Sequence, residues 1–209
     1  KIMTTGGEGG MVTTNDEGLW RAMWAYKDHG KSYAAVYERT HPKGFRWLHE
    51  SFGTNWRMLE MQAVIGRVQL KRMRDWSTIR AQYAEMIWAA CRPFNAIRVP
   101  VVPADSTHAH YKCYVYVQPD LLAAGWSRDR IVEAIVALGV PCFQGSCSEV
   151  YLEKAFDATG WRPKERLPNA RELGETSVMF LVHPTLTQSE LTKTCQVISD
   201  VLNKACNNK

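Results

Sequence analysis

Three stretches of the 209-residue sequence hold side chains whose type and spacing suit chemistry. The first is Lys1-Ile-Met-Thr-Thr-Gly-Gly-Glu-Gly-Gly-Met-Val-Thr-Thr14, where a lysine stands at the mouth of a turn rich in glycine. Glycine backbone turns tightly and lets another group come close. From spacing alone the stretch is a glycine-rich hairpin behind a chain end. The second is Asn55 with Arg57. A neutral amide donor where a helix begins suits a phosphate, because the helix N–H groups and dipole also favour an anion. An arginine fork suits a phosphate or a carboxylate. Asn55 also reads as a plain helix cap worth about 1 kcal/mol, and Arg57 as an exposed first-turn arginine. The third is Phe143-Gln-Gly-Ser-Cys-Ser-Glu-Val-Tyr151, a polar, turn-rich loop between a strand and a helix.

Other candidates are weaker. His108 and His110 share a strand face by period two, which suits a metal, but no third ligand is in sight. His29 and His183 read as structural, and Cys147 has no neighbouring base to activate it. The six cysteines fall at irregular spacing without a Cys-x-x-Cys pair, as expected for reduced, buried thiols of a cytosolic protein. Net charge is +5, with 15 basic and 9 acidic side chains in residues 1–104 against 11 and 12 in residues 105–209. The excess suits a phosphate-bearing ligand and is too sparse for a nucleic-acid binder. No apolar run is long enough to span a bilayer, and no leader segment opens the chain.

The elements that must position these residues follow from periodicity. Met11–Thr14 reads as a short strand, and Thr14-Asn-Asp-Glu17 has the form of a capping box before a helix over about 16–27. Residues 31–54 form a long loop with Tyr33, Tyr37, Phe45 and Trp47. Apolar positions 58, 61, 65 and 68, then 76, 79, 83, 86 and 90, predict one long helix ending before Pro93, with Arg67, Lys71, Arg72, Arg74 and Arg80 on its outer face. Residues 110–117 alternate as a half-buried strand. Ser127 caps a helix that stops at Gly139; 140–143 and 178–182 are strands; Thr187-Gln-Ser-Glu190 is a capping box opening the last helix. Helices with mostly antiparallel strands in this order make a small α+β domain.

The wording from Lys1 to Asn15 resembles the segment that carries the cofactor lysine in the DegT/StrS-type nucleotide-sugar aminotransferases, which are pyridoxal-phosphate (PLP) enzymes of fold type I. Phe52-Gly-Thr-Asn-Trp-Arg-Met-Leu-Glu-Met-Gln-Ala63 resembles the family's Gly-x-Asn-x-Arg-Met stretch, and Phe180-Leu-Val-His-Pro184 the strand before its last helix. The likeness covers essentially the whole chain. It implies Lys1 as covalent cofactor anchor and acid/base, with Thr4, Thr5 and the glycines shaping its turn and Glu8 stabilising that turn. It implies Asn55 as a donor to the cofactor phosphate of the neighbouring subunit, hence a homodimer with shared sites. Arg57, Ser146, Cys147, Ser148 and Glu149 are then the candidates for substrate binding. Many relatives place a histidine and a tyrosine where Ser146 to Glu149 stand.

By the same resemblance the fold class is α/β and α+β, the C-terminal part of the fold type I, aspartate aminotransferase-like architecture. Residues 1–75 end the large PLP-binding domain, 76–92 form a connecting helix and 93–209 a small α+β domain. The implied activity is transfer of an amino group, with glutamate as donor, to the keto sugar of a nucleotide-sugar. The rival readings are a non-catalytic sugar-binding or regulatory relative and a PLP-dependent sugar dehydratase. In both the lysine is typically replaced, and Lys1 is present. Family members carry about as much chain again before the lysine, so the N-terminal half is an expected partner, and the 209-residue chain alone is expected to be inactive and aggregation-prone.

Overall fold

The computed structural model describes residues 2–44 and 46–206. The chain divides into two compact units, residues 1–73 and 74–209.

In the first unit, α1 (Glu17–Lys27) starts at Asp16, whose Oδ1 accepts from the Leu19 N–H at 2.7 Å and so satisfies an amide that the helix itself cannot. The expected cap at Thr14 is therefore displaced: Thr14 Oγ1 accepts from Asp16 N–H at 3.1 Å and braces the true cap. The expected strand at 11–14 is irregular, with Met11 and Val12 exposed, since no described segment pairs with it. The aromatic loop folds over α1 through a π-helical turn, Ala34–Glu38. Tyr33 meets Trp20, Trp24 and Tyr37 at ring-centroid distances of 5.0, 5.2 and 4.9 Å. Phe45 lies outside the described residues. After α1, residues 26–31 are laced to 49–56 by backbone bonds: His29 N–H to Thr54 O, Thr54 N–H to Tyr26 O, Trp56 N–H to Lys27 O and Glu50 N–H to Gly30 O, all within 3.0 Å.

The long helix α2 (Glu60–Cys91) begins in the first unit and ends in the second. Its buried positions are Arg80, Ala84, Ile87, Trp88 and Cys91, one step round from the predicted stripe. Arg80 is thus not on the outer face as expected. Its Nη1 donates to the carbonyls of His110, Tyr111 and Val182 at 3.4–3.5 Å, which lets the charged head sit inside.

The second unit is built on an antiparallel sheet in the order β1 (Ile97–Arg98), β2 (Cys113–Val117), β4 (Ser177–Phe180), β3 (Cys142–Phe143). Register pairs Cys113 with Phe180 and Val115 with Val178, so Cys113, Val115, Val117, Val178 and Phe180 point to one face. That face packs with α3 (Arg128–Ala137), α5 (Gln188–Ala205) and the end of α2 into one core. The strand expected from 110 starts only at Cys113, because His110 has φ +45°, which no strand residue adopts. Ser127 caps α3 and Gly139 follows its end, as read from sequence. The Thr187–Glu190 capping box is formed in both directions. The sequence pattern did not mark α4 (Pro168–Thr176), a polar helix with one buried residue.

Candidate active site

Lys1, the expected covalent residue, lies outside the described residues. The turn that follows it is clasped to the first turn of α2. Gln62 Nε2 donates to Glu8 O at 2.9 Å, and buried Thr5 donates from Oγ1 to Gly7 O at 3.3 Å. A Cβ on Gly9 would fall 2.6 Å from Thr5 Oγ1 and 3.0 Å from Met58 Cε, so the turn lies as close to α2's lead-in as bare backbone allows.

Asn55 and Arg57 do not stand on the helix. They sit in the extended segment before it, and α2 begins at Glu60, so Asn55 is not its cap and Arg57 is not a first-turn residue. The reason is the lacing to the end of α1, where Asn55 bridges Asp28 across the two segments. Alternation along an extended backbone puts Asn55 and Arg57 on one side. Arg57 Nε donates to Asn55 Oδ1 at 3.1 Å and stands 3.6 Å from Asp28 Oδ1, which is also 3.6 Å from Lys31 Nζ. Asp28 Oδ1 is buried yet accepts no hydrogen bond among the described residues. One carboxylate therefore faces two cations. Among the described residues the Asn55 amide N–H₂ and the terminal nitrogens of half-exposed Arg57 are left as donors.

This donor set fits the phosphate end of the cofactor that the sequence resemblance implies. A dianion needs a directed N–H donor, which Asn55 supplies, and a local positive excess, which the Arg57 and Lys31 charges around Asp28 supply. The glycine turn behind Lys1 adds close backbone approach.

The 143–151 loop belongs to the second unit. Its base is stapled: Ser177 Oγ donates to Gln144 O at 2.6 Å, and Arg128 Nη1 donates to Gly174 O and Ser177 O at 2.9 Å. Its far end is tied by Glu149, which is buried. Arg166 grips both carboxylate oxygens, and Tyr151 Oη donates to Oε1 at 2.6 Å. These partners hold the Glu149 carboxyl far below the usual carboxylate range, at about 2. Between the tied ends, Ser146 and Cys147 are exposed and Ser148 half-buried. Ser146 Oγ is 3.2 Å from Tyr114 Oη, and Cys147 Sγ lies 3.6 Å from Glu153 Oε1. The structure thus groups Asn55 with Arg57 in the first unit and Ser146 to Glu149 in the second.

The other candidates recede. No group of three or more potential metal ligands occurs among the described residues, and His108 and His110 lie before β2, not on a strand face. Of the cysteines expected to be buried, Cys147 is exposed and Cys195 half-buried. Burial pushes the Cys91 and Cys142 thiols up to about 12, which makes them inert. Among the described residues no helix is long and apolar enough to cross a membrane. Sequence reasoning missed Asp28, Gln62, Arg128 and Arg166, whose partners lie far along the chain; only Asp28, beside the His29-Gly30 stop of α1, carried a local mark.

Comparison with known proteins gives this arrangement its context. The chain is 65% identical to the aminotransferase from Psychrobacter cryohalolentis, whose crystal structure it matches with a TM-score of 0.92 over 97% of this chain and 53% of that one. It is 27% identical over 203 residues to the spore coat polysaccharide biosynthesis protein SpsC of Bacillus subtilis (strain 168), covering 95% of this chain and 51% of that protein. The structure of S. venezuelae DesV, at 22% identity and a TM-score of 0.76 over 94% of this chain and 47% of that one, shares the fold. The chain therefore spans about half the length of the relatives it matches. The family match itself runs over residues 1–199, from the lysine turn through the laced Asn55 segment to the last helix, and the chain belongs to the DegT/DnrJ/EryC1/StrS aminotransferase family.

Proposed function

We propose that the complete protein is a PLP-dependent aminotransferase that moves an amino group, from glutamate, to the keto sugar of a nucleotide-sugar. The observation that carries this reading is the family match, which takes in both Lys1 and the 52–63 stretch. SpsC, by its name a polysaccharide biosynthesis protein, supports a role in making cell-surface sugars. The complete protein acts as a cytoplasmic homodimer, with the first half of its large domain supplied by chain that precedes Lys1.

Pyridoxal phosphate, when bound, supplies the electron sink for the charge left on carbon as the C–H bond beside the amino group breaks. This chain supplies the rest. Lys1 would hold the cofactor aldehyde covalently, and its amine, when free, would take and return the proton at the carbon that bears the amino group. Asn55 would donate its amide N–H to the cofactor phosphate in the partner subunit's site, with Arg57 Nε donating to its Oδ1. The terminal nitrogens of Arg57 take a substrate carboxylate or phosphate. Ser146, Cys147 and Ser148 face the sugar, and Glu149 positions them through Arg166 and Tyr151. The domain division in this reading is 1–75, 76–92 and 93–209.

The test is transfer of ¹⁵N from labelled glutamate to a panel of nucleotide keto sugars by the complete protein with PLP. Label in the sugar, dependent on PLP and lost in Lys1→Ala, is the expected result. Failure to form 2-oxoglutarate from glutamate with any acceptor would contradict the donor, and failure with every amino acid would contradict the reaction.

A further inference from the structure

The face of the sheet turned away from the core carries Tyr114 and Tyr116 on β2, with Arg98, Phe143 and Ser177 across the register. Beside it lies a cavity of about 220 Å³ in the second unit. Trp88, Tyr114 and Tyr116 give it aromatic walls, Ser106, Thr107, His108 and Lys112 its polar groups, and the proline-bounded 100–103 segment its rim. No lining residue is acidic.

The two kinds of surface point to one ligand chemistry. Aromatic faces receive the C–H face of a sugar ring, and few, placed polar groups fix its orientation. Lys112 has no carboxylate partner among the described residues; its Nζ stands 5.5 Å from the Tyr111 ring and 5.7 Å from that of Phe143. An ammonium so placed, half-buried beside apolar walls, attracts an anion more strongly than one in open water. The walls are held before any ligand arrives. Trp88 Nε1 donates to Tyr114 O at 3.0 Å, Tyr114 Oη meets Ser146 Oγ at 3.2 Å, and the Arg98 guanidinium lies 4.2 Å over the Tyr116 ring. Behind them His110, 6% exposed, keeps Nδ1 without a hydrogen-bond partner among the described residues, its ring 4.4 Å from His108 and 5.3 Å from Trp88. The volume falls below the roughly 300–1,000 Å³ of drug-sized sites, which suits a single sugar ring.

We propose that this cavity binds a hexose bearing an anionic group, with the ring against Trp88, Tyr114 and Tyr116 and the phosphate or carboxylate at Lys112. The inference does not depend on the aminotransferase reading, although Tyr114 joins the cavity wall to Ser146 of the 143–151 loop. Saturation-transfer NMR on the complete protein tests it with glucose 1-phosphate, glucuronate, methyl glucoside and inorganic phosphate as probes. The expected result is ring-proton saturation for a charged hexose, weakened at least tenfold in Lys112→Met, with methyl glucoside binding weakly and equally to both proteins. Glucose 1-phosphate and glucuronate distinguish a phosphate from a carboxylate. Val102→Trp, which fills the rim, should abolish binding while its melting curve stays cooperative. Silence for every hexose, an unchanged affinity in Lys112→Met, or equal competition by inorganic phosphate would overturn the proposal. Loss in Arg57→Ala with retention in Lys112→Met would also overturn it, placing the anion in the first unit and leaving the aminotransferase reading untouched.

Discussion

Replacing Gly30 with alanine attacks the crossing on which Asn55 and Arg57 hang. Gly30 has φ +82°, and a Cβ there would fall 1.7 Å from Ser51 O and 2.5 Å from Ser51 C. Both are backbone atoms, so no side chain can rotate away, and the 49–56 segment must retreat by more than an ångström. Four bonds then stretch or break: Glu50 N–H and Ser51 N–H to Gly30 O, His29 N–H to Thr54 O, and Thr54 N–H to Tyr26 O. At about 1 kcal/mol each, with about 1–2 kcal/mol more for a β-carbon at positive φ, the expected loss is about 5–6 kcal/mol. Gly44→Ala is the internal control. Its φ is +101° but nothing among the described residues lies within 4 Å of its Cβ, so only the conformational cost of about 1–2 kcal/mol remains. Urea unfolding of the complete protein, followed by fluorescence of the tryptophans around the crossing, reads both. PLP affinity should fall with Gly30→Ala and hold with Gly44→Ala. A Gly30→Ala protein as stable as Gly44→Ala would refute the backbone clash and, with it, the account of how Asn55 is placed.

Arg80→Met should destabilise the second unit by about 2–3 kcal/mol in thermal melting, because the carbonyls of His110, Tyr111 and Val182 lose their shared donor. Glu149 titrates at about 2 in the folded protein against an ordinary 4.5, so its contribution to stability is complete above pH 4.5 and fades as pH falls toward 2. Melting curves of Glu149→Gln across that window should show a shallower acid loss than wild type. If Asn55 holds the cofactor phosphate as proposed, Asn55→Ala removes one hydrogen bond to a charged group, worth about 1.5–3 kcal/mol, and should raise the Kd for PLP about tenfold to a hundredfold in equilibrium dialysis. Mixing Lys1→Ala with Asn55→Ala protein should restore part of the activity that each lacks, since one shared site of the mixed dimer is intact.

Much of the fold was legible because its signals are local. Thr187 and Glu190 are three residues apart and make the capping box they spell, and Ser127 caps α3 as written. The alternation of Cys113, Val115 and Val117 gave the face of β2. Elements whose shape depends on distant partners were misread. Asn55 looks like a helix cap until Tyr26, Lys27 and His29 hold its segment extended. Arg80 looks like a surface residue until three carbonyls from 30 to 102 positions away accept from it. For the candidate site only the family was legible, through the wording of the lysine turn and the 52–63 stretch. Its supports were not: Gln62 bonds to Glu8 across 54 positions, and Arg166 reaches Glu149 across 17.

The central claim is that Lys1 holds the cofactor. Borohydride reduction of the complete protein with PLP, followed by peptide mapping, tests it most directly. A pyridoxyl group on Lys1 in the wild type, and on no residue in Lys1→Ala, is the predicted result. Stoichiometric labelling of any other lysine, or none at all, would contradict the account.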